Sequence, residues 1–127
     1  MRLLLDTHAF IWWDKDPAKL SRRVLALCQD PTNTLALSLA SVWEMQIKTQ
    51  LGKLQLRVPL KTMITEQQEN GIQILPVTLP HILALEGMPR HHGDPFDRML
   101  IAQSNTEGMS LVSRDPFFGS YVVDVVW

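Results

Sequence analysis

The first hydrophobic signal is unbroken: Leu3-Leu4-Leu5 runs without alternation and stops abruptly at Asp6-Thr7-His8. Successive side chains on a strand point to opposite faces, so a short run that is apolar throughout predicts a strand covered on both sides. Leu35-Ala36-Leu37, Ile72-Gln73-Ile74-Leu75 before Pro76, and Leu111-Val112 read as further strands, and the β-branched stretch Val122 to Val126 as a fifth. Between them the period changes. Ala9 to Trp13 opens a short helix that Asp16-Pro17 breaks, and Ser21 to Gln29 carries Val24, Leu25 and Cys28 at helical spacing. Ser38 to Gln50, closed near Gly52, holds Val42, Met45 and Ile47, and Ser41 with Glu44 matches the capping-box spacing. Pro59 starts a helix that stops at Asn70-Gly71, and Pro80 to Glu86 forms another. After a loop from Met88 to Gly93, Asp94-Pro95-Phe96-Asp97 begins a helix reaching Glu107-Gly108, with Asp94 as N-cap and Pro95 in the first helical position.

Strands alternating with helices predict an α/β fold: three layers, α/β/α, around a mostly parallel, about five-stranded central sheet. With 127 residues and no linker or repeat, residues 1–127 form a single domain. Ligands of such sheets bind beyond the carboxyl ends of the strands, which directs attention to the acids found there.

Composition narrows the class. Hydrophobic residues at 46% and charged ones at 20% exclude a disordered chain. The lone Cys28 excludes a disulfide framework and a cysteine-based zinc site, and fits a reducing, cytoplasmic setting. No uncharged apolar run reaches the about 18 residues of a membrane helix, and the opening strand is too short for a signal peptide, so no membrane association is expected. A net charge of −1 gives no global attraction to polyanions. Such a partner must be held by a local patch or through metal ions.

Asp6 and Asp115 each follow a predicted strand, Glu44 lies early in the helix after the second strand, and Asp97 in the first turn of the helix before the fourth. Helix starts and strand ends of a parallel sheet share one rim, so the four carboxylates are expected to converge. Clustered carboxylates either hold protons or recruit cations, and an all-oxygen set without cysteine suits Mg2+ or Mn2+. Each acid also has a purely structural reading. Asp97 completes a cap, Glu44 partners Ser41, Asp115 is a turn residue before Pro116, and Asp94 is a cap rather than a ligand. Asp6 is the hardest to explain that way, because a charge closing a buried strand needs a partner. His81, His91 and His92 with Asp94 match no common zinc spacing and read as a polar loop. Trp12 and Trp13 point about 100° apart on a helix, so both cannot lie deep in one core stripe; partial burial is expected of them, with exposure of one at a dimer or antitoxin contact as the alternative. Trp43 is expected to pack rather than wall the site, and Trp127 to cover an edge or fray.

With these residues in place, the chain resembles PIN-domain ribonucleases, and more closely the VapC-type toxins of toxin–antitoxin pairs. The resemblance rests on Leu4-Leu5-Asp6-Thr7-His8, on Ser41-Val42-Trp43-Glu44 with Lys48 and Gly52-Lys53-Leu54, on His92-Gly93-Asp94-Pro95-Phe96-Asp97-Arg98, and on Leu111-Val112-Ser113-Arg114-Asp115. These segments follow in order along the whole chain, and the Asp-Pro-Phe-Asp-Arg stretch is the most specific. The resemblance implies a PIN-like fold and a Mg2+- or Mn2+-dependent endoribonuclease cutting RNA phosphodiester bonds. It places Asp6, Glu44, Asp97 and Asp115 as both metal-binding and catalytic residues, with Asp94 as an added acid. It also implies a homodimer and a cognate antitoxin protein whose tail occupies the active-site groove. Arg98, Arg114, Lys48 and the Arg90-His91-His92 loop are the cations nearest the acids. Ser113 stands where relatives often carry threonine, which keeps the hydroxyl.

Other readings divide on single residues. A haloacid-dehalogenase-like phosphatase needs a second Asp two positions after Asp6, where this chain has His8. A phospho-receiver needs an acid pair by the first strand and an acceptor Asp at a later strand end, where the second strand ends in Ser38. A non-catalytic PIN-fold binding module and a metal-dependent DNA nuclease stand as the alternatives.

Overall fold

The computed structural model describes residues 1–91 and 93–127. Its strands are β1 (Arg2–Leu5), β2 (Thr34–Ser38), β3 (Gln73–Leu75), β4 (Ser110–Val112) and β5 (Val125–Val126). They form one sheet in the order β3-β2-β1-β4-β5, with every neighbouring pair parallel. The helices are α1 (Thr7–Lys15), α2 (Arg22–Gln29), α3 (Leu39–Gln50), α4 (Leu60–Glu69), α5 (Leu79–Ala84) and α6 (Pro95–Glu107).

The unbroken apolar runs are explained by two cores. Leu3 and Leu5 of β1 pack with Phe10, Val24, Met45 and Met63 on one face, whereas Leu4 packs with Leu100, Ile101 and Phe118 on the other. Neighbours in sequence therefore serve opposite layers, giving the expected α/β/α sandwich. Cys28 sits buried in the first core, where burial pushes its thiol up to about 11 and leaves it an apolar packing group. Among the described residues no helix is long and apolar enough to cross a membrane.

Three local expectations change. The fifth strand shrinks to Val125–Val126, because Val122 is exposed and Val123 N–H turns back to the Tyr121 carbonyl at 3.1 Å. The helix expected from Pro80 starts at Leu79 and tightens into a 3₁₀ turn over Leu85–Gly87. The Ser41–Glu44 pair is not a capping box. Ser38 caps α3 by accepting from Ala40 N–H at 3.0 Å, which leaves Ser41 inside the helix and free to face α1. The Asp94–Pro95 start holds: Asp94 accepts from Phe96 N–H at 2.8 Å and Asp97 N–H at 3.2 Å.

The strand order places the topological switch between β1 and β4. From β1 the chain builds outward through β2 to β3, and from β4 it builds the opposite way to β5. The crevice beyond the carboxyl ends of these two strands is where an open parallel sheet offers a binding site.

Candidate active site

Asp6 closes β1 at this switch and serves as N-cap of α1. Its Oδ1 accepts from Ala9 N–H at 2.7 Å, and its backbone N–H continues the ladder onto the Val112 carbonyl at 3.0 Å. Its Oδ2 accepts from Ser113 Oγ at 2.5 Å, and the same Ser113 Oγ accepts from Asp115 N–H at 3.0 Å. One hydroxyl therefore ties the acid after β1 to the acid-bearing turn after β4. Asp115 in turn caps the 3₁₀ turn Pro116–Ser120, its Oδ1 accepting from Phe117 N–H at 2.9 Å.

Burial dominates the Asp6 carboxyl and pushes it up to about 6, against the lowering effects of Ser113, Ala9 N–H and His8; the Asp97 charge pushes it further up. Asp97 stands in the first turn of α6, half-buried and electrostatically coupled to Asp6. Glu44, only 4% exposed, is reached from α1: Thr7 Oγ1 donates to Glu44 Oε1 at 2.6 Å and lies 3.0 Å from Ser41 Oγ. Its other oxygen accepts from Lys48 Nζ at 2.6 Å. That bond raises the Lys48 pKa, as do the nearby charges of Glu44, Asp94 and Asp97.

Hydrogen bonds through Ser113 tie Asp6 to Asp115, the Asp97 charge acts on Asp6, and Glu44 reaches the others only through Lys48, which lies in the fields of Glu44, Asp94 and Asp97. The four expected acids do not form a preformed cage: among the described residues no three His, Cys, Asp or Glu side chains are grouped to hold a metal ion. Nor is the cluster without a cation, since Lys48 already occupies one face of Glu44. The donor set still fits a hard dication, because it is all carboxylate oxygen and Asp6 carries a charge that burial leaves poorly compensated. Thr7 as a partner of Glu44 is the residue that sequence reasoning missed, whereas Lys48 was among the cations expected near the acids. The i, i+4 spacing of Glu44 and Lys48 carried that signal for Lys48; for Thr7 none existed.

His81 does not belong to the polar loop expected of it. His81 is fully buried between α5 and α6, its Nδ1 accepting from Thr78 N–H at 3.0 Å and its Nε2 lying 2.8 Å from Glu107 Oε1. His91 meets the Tyr121 ring edge-on, and His92 lies outside the described residues. The tryptophans also sort themselves. Trp12 and Trp13 are both half-buried, and Trp12 faces the crevice, a cavity of about 310 Å³ lined by Asp6, His8, Trp12, Arg114, Asp115 and Pro116. Trp43 does not pack inward as expected. It is 63% exposed, touching Phe96 edge-on beside an apolar groove, because the inward face of α3 is taken by Met45 and Glu44.

Fold and crevice together define an α/β protein with a carboxylate site at the switch point of a parallel sheet. The sequence profile of the PIN domain matches residues 3–121. The chain belongs to the PIN-domain family, whose nucleases are metal-dependent in general. It is 27% identical over 115 residues to "Ribonuclease VapC22" of Mycobacterium tuberculosis (strain ATCC 25618 / H37Rv), covering 89% of this chain and 86% of that protein. Among solved structures, VapBC2 from Rickettsia felis bound to a promoter DNA fragment aligns at TM-score 0.75, with 14% identity and 99% and 98% of the two chains covered. FitAcB from Neisseria gonorrhoeae aligns at 0.64, with 21% identity and 98% and 96% covered. At these identities the two structures establish the shared fold.

Proposed function

We propose that this chain is a metal-dependent endoribonuclease that hydrolyses RNA phosphodiester bonds as the toxin of a cytoplasmic toxin–antitoxin pair. The observation that carries the reading is the Ser113 bridge, which fixes the Asp6 and Asp115 sites side by side at the β1–β4 switch, within the field of Asp97. The likeness to a protein named ribonuclease VapC22, and the fold shared with a structure described as a toxin–antitoxin complex from Klebsiella pneumoniae, support it.

Asp6 and Asp97 are the principal groups to hold Mg2+ or Mn2+, with Asp115 beside them. Glu44 already has a cation, Lys48 on Oε2, so it would complete the shell at a remove, and it fixes Lys48 on the rim. When bound, such a hard dication supplies the positive charge that a phosphodiester under attack requires. The site carboxylates provide the acceptor for the proton of the attacking water. Arg98 is committed to the Pro89 carbonyl at 2.8 Å and the Tyr121 hydroxyl at 3.4 Å, so it ties the chain at Pro89 to α6, and Arg114 is a cation that lines the crevice.

The homodimer belongs to the same reading. Leu39, Trp43, Ile82, Phe96 and Met99 line a 600 Å³ apolar groove between α3, α5 and the start of α6, a surface suited to a second copy. The antitoxin tail is assigned to the acidic crevice.

The test is incubation of the purified, partner-free protein with mixed cellular RNA and Mg2+ or Mn2+. Cleavage is expected, with loss in EDTA and in the folded Asp97→Asn variant. Cleavage that persists in EDTA, or full activity of Asp97→Asn, overturns the reading.

A further inference from the structure

The crevice contains more than acids. Trp12 forms one wall, half-buried, with Trp127 bracing it edge-to-face at 5.9 Å and His8 tilted beside it at 6.1 Å. The Arg114 guanidinium lies over the Trp12 ring, 5.8 Å from its centroid. Arg114 is exposed and makes no hydrogen bond or ion pair among the described residues, so only this ring contact positions it. A planar cation 5.8 Å over an indole ring, carried by the residue next to Asp115, marks the side of the ring that a flat aromatic ligand would take.

We infer that Trp12 is a nucleobase subsite: a base of single-stranded RNA next to the cut phosphate stacks on its ring, displacing Arg114, which then pairs with a backbone phosphate. Three features support this. The ring is half-buried and in edge-to-face contact with Trp127, which restricts its motion relative to a free surface side chain. The about 310 Å³ cavity is at the small end of ligand pockets and suits a single planar group. Stacking on an aromatic face is how proteins hold single strands without reading their hydrogen-bonding edges, and exchange of guanidinium for base keeps the ring covered while freeing a cation. The wider π-face of a purine makes it the favoured occupant. This inference rests on the ribonuclease reading and assigns the residue that positions its substrate.

The experiment measures binding of a short random-sequence single-stranded RNA to wild type, Trp12→Phe and Trp12→Leu, all carrying Asp97→Asn to block cleavage. Steady-state cleavage of A-rich and U-rich strands is followed in the Asp97 background. Trp12→Leu is expected to weaken binding about tenfold, to place its loss on KM rather than kcat, and to erase the purine preference, whereas Trp12→Phe retains all three. A circular dichroism melt confirms that both variants fold. If wild type binds and cuts RNA while a folded Trp12→Leu binds equally well, the subsite is wrong and the nuclease stands. If Trp12→Leu changes only inhibition by a basic peptide, the wall is a protein contact and the subsite is again wrong. If no RNA is bound or cut by wild type, both readings fall.

Discussion

Ser113 Oγ donates to Asp6 Oδ2 at 2.5 Å and holds, through its second interaction, the backbone of Asp115 at 3.0 Å. These residues lie 107 positions apart, and the bond joins the two strand ends that frame the switch point. It also opposes the rise that burial imposes on the Asp6 carboxyl.

Removing that donor should therefore make Asp6 harder to ionise. In Ser113→Ala the acid limb of the cleavage profile is expected to move upward by about one pH unit, since a hydrogen bond to a charged group contributes about 1.5 kcal/mol or more. Ser113→Thr, which keeps the hydroxyl, should leave the limb in place. Cleavage rates measured across pH for the three proteins decide it, and an unmoved limb in Ser113→Ala shows that Asp6 ionisation does not govern the rate.

Glu44 and Lys48 form a pair in which one partner is buried and the other is substantially exposed. Lys48→Met keeps the aliphatic stem and leaves Glu44 Oε2 without its donor. A loss of about 1–3 kcal/mol is expected in urea denaturation, with most of it restored in the Glu44→Gln, Lys48→Met double variant, whose amide still accepts from Thr7. If the double variant is as unstable as the single one, the cost lies in packing rather than in the stranded charge.

Much of this arrangement was legible in the chain because its causes are local. Strand runs such as Leu3-Leu4-Leu5 follow from burial on both faces, and the Asp94–Pro95 start from capping chemistry within three residues. The places of Asp6 just past β1 and Asp115 just past β4 followed from parallel-sheet geometry once the strands were placed. What escaped depends on distant partners. Ser38 and Ser41 are equally good caps by composition, and only the extent of β2 selects the first. The Thr7 partner of Glu44 lies 37 positions away and carries no periodic signal. Trp43 looked like a packing residue because its size suggests burial, yet the sheet claims the opposite side of α3.

That exposed tryptophan gives the third prediction. Trp43→Glu places a charge in the apolar groove, and it is expected to convert a dimer into a monomer at matched concentration in sedimentation. Because the side chain is 63% exposed, monomer stability should change by no more than about 0.5 kcal/mol. An unaltered dimer moves the interface elsewhere on the surface.

The pH dependence of stability follows from Asp6. Its carboxyl titrates at about 6 in the folded protein against its ordinary 3.8, so the native state holds the proton more tightly than the unfolded chain. The sign is fixed by that order: this group's contribution is most favourable below about pH 4, declines as pH rises to about 6, and is flat above. The decline amounts to about 3 kcal/mol in the metal-free protein. Asp6→Asn keeps an acceptor for Ala9 N–H and puts an amide donor where Asp6 Oδ2 accepts from Ser113 Oγ, while removing the charge, so in EDTA it should be more stable than wild type at about pH 7 and no more stable at about pH 4. Mg2+ or Mn2+ competes with the same proton, and either ion should stabilise wild type more at about pH 7 than at about pH 5 and leave Asp6→Asn nearly unmoved. Urea denaturation at these pH values, with and without the ion, measures all of it. A variant less stable than wild type at neutral pH means that the Asp6 charge is compensated without metal, and ion-induced stabilisation that survives Asp6→Asn places the ion elsewhere.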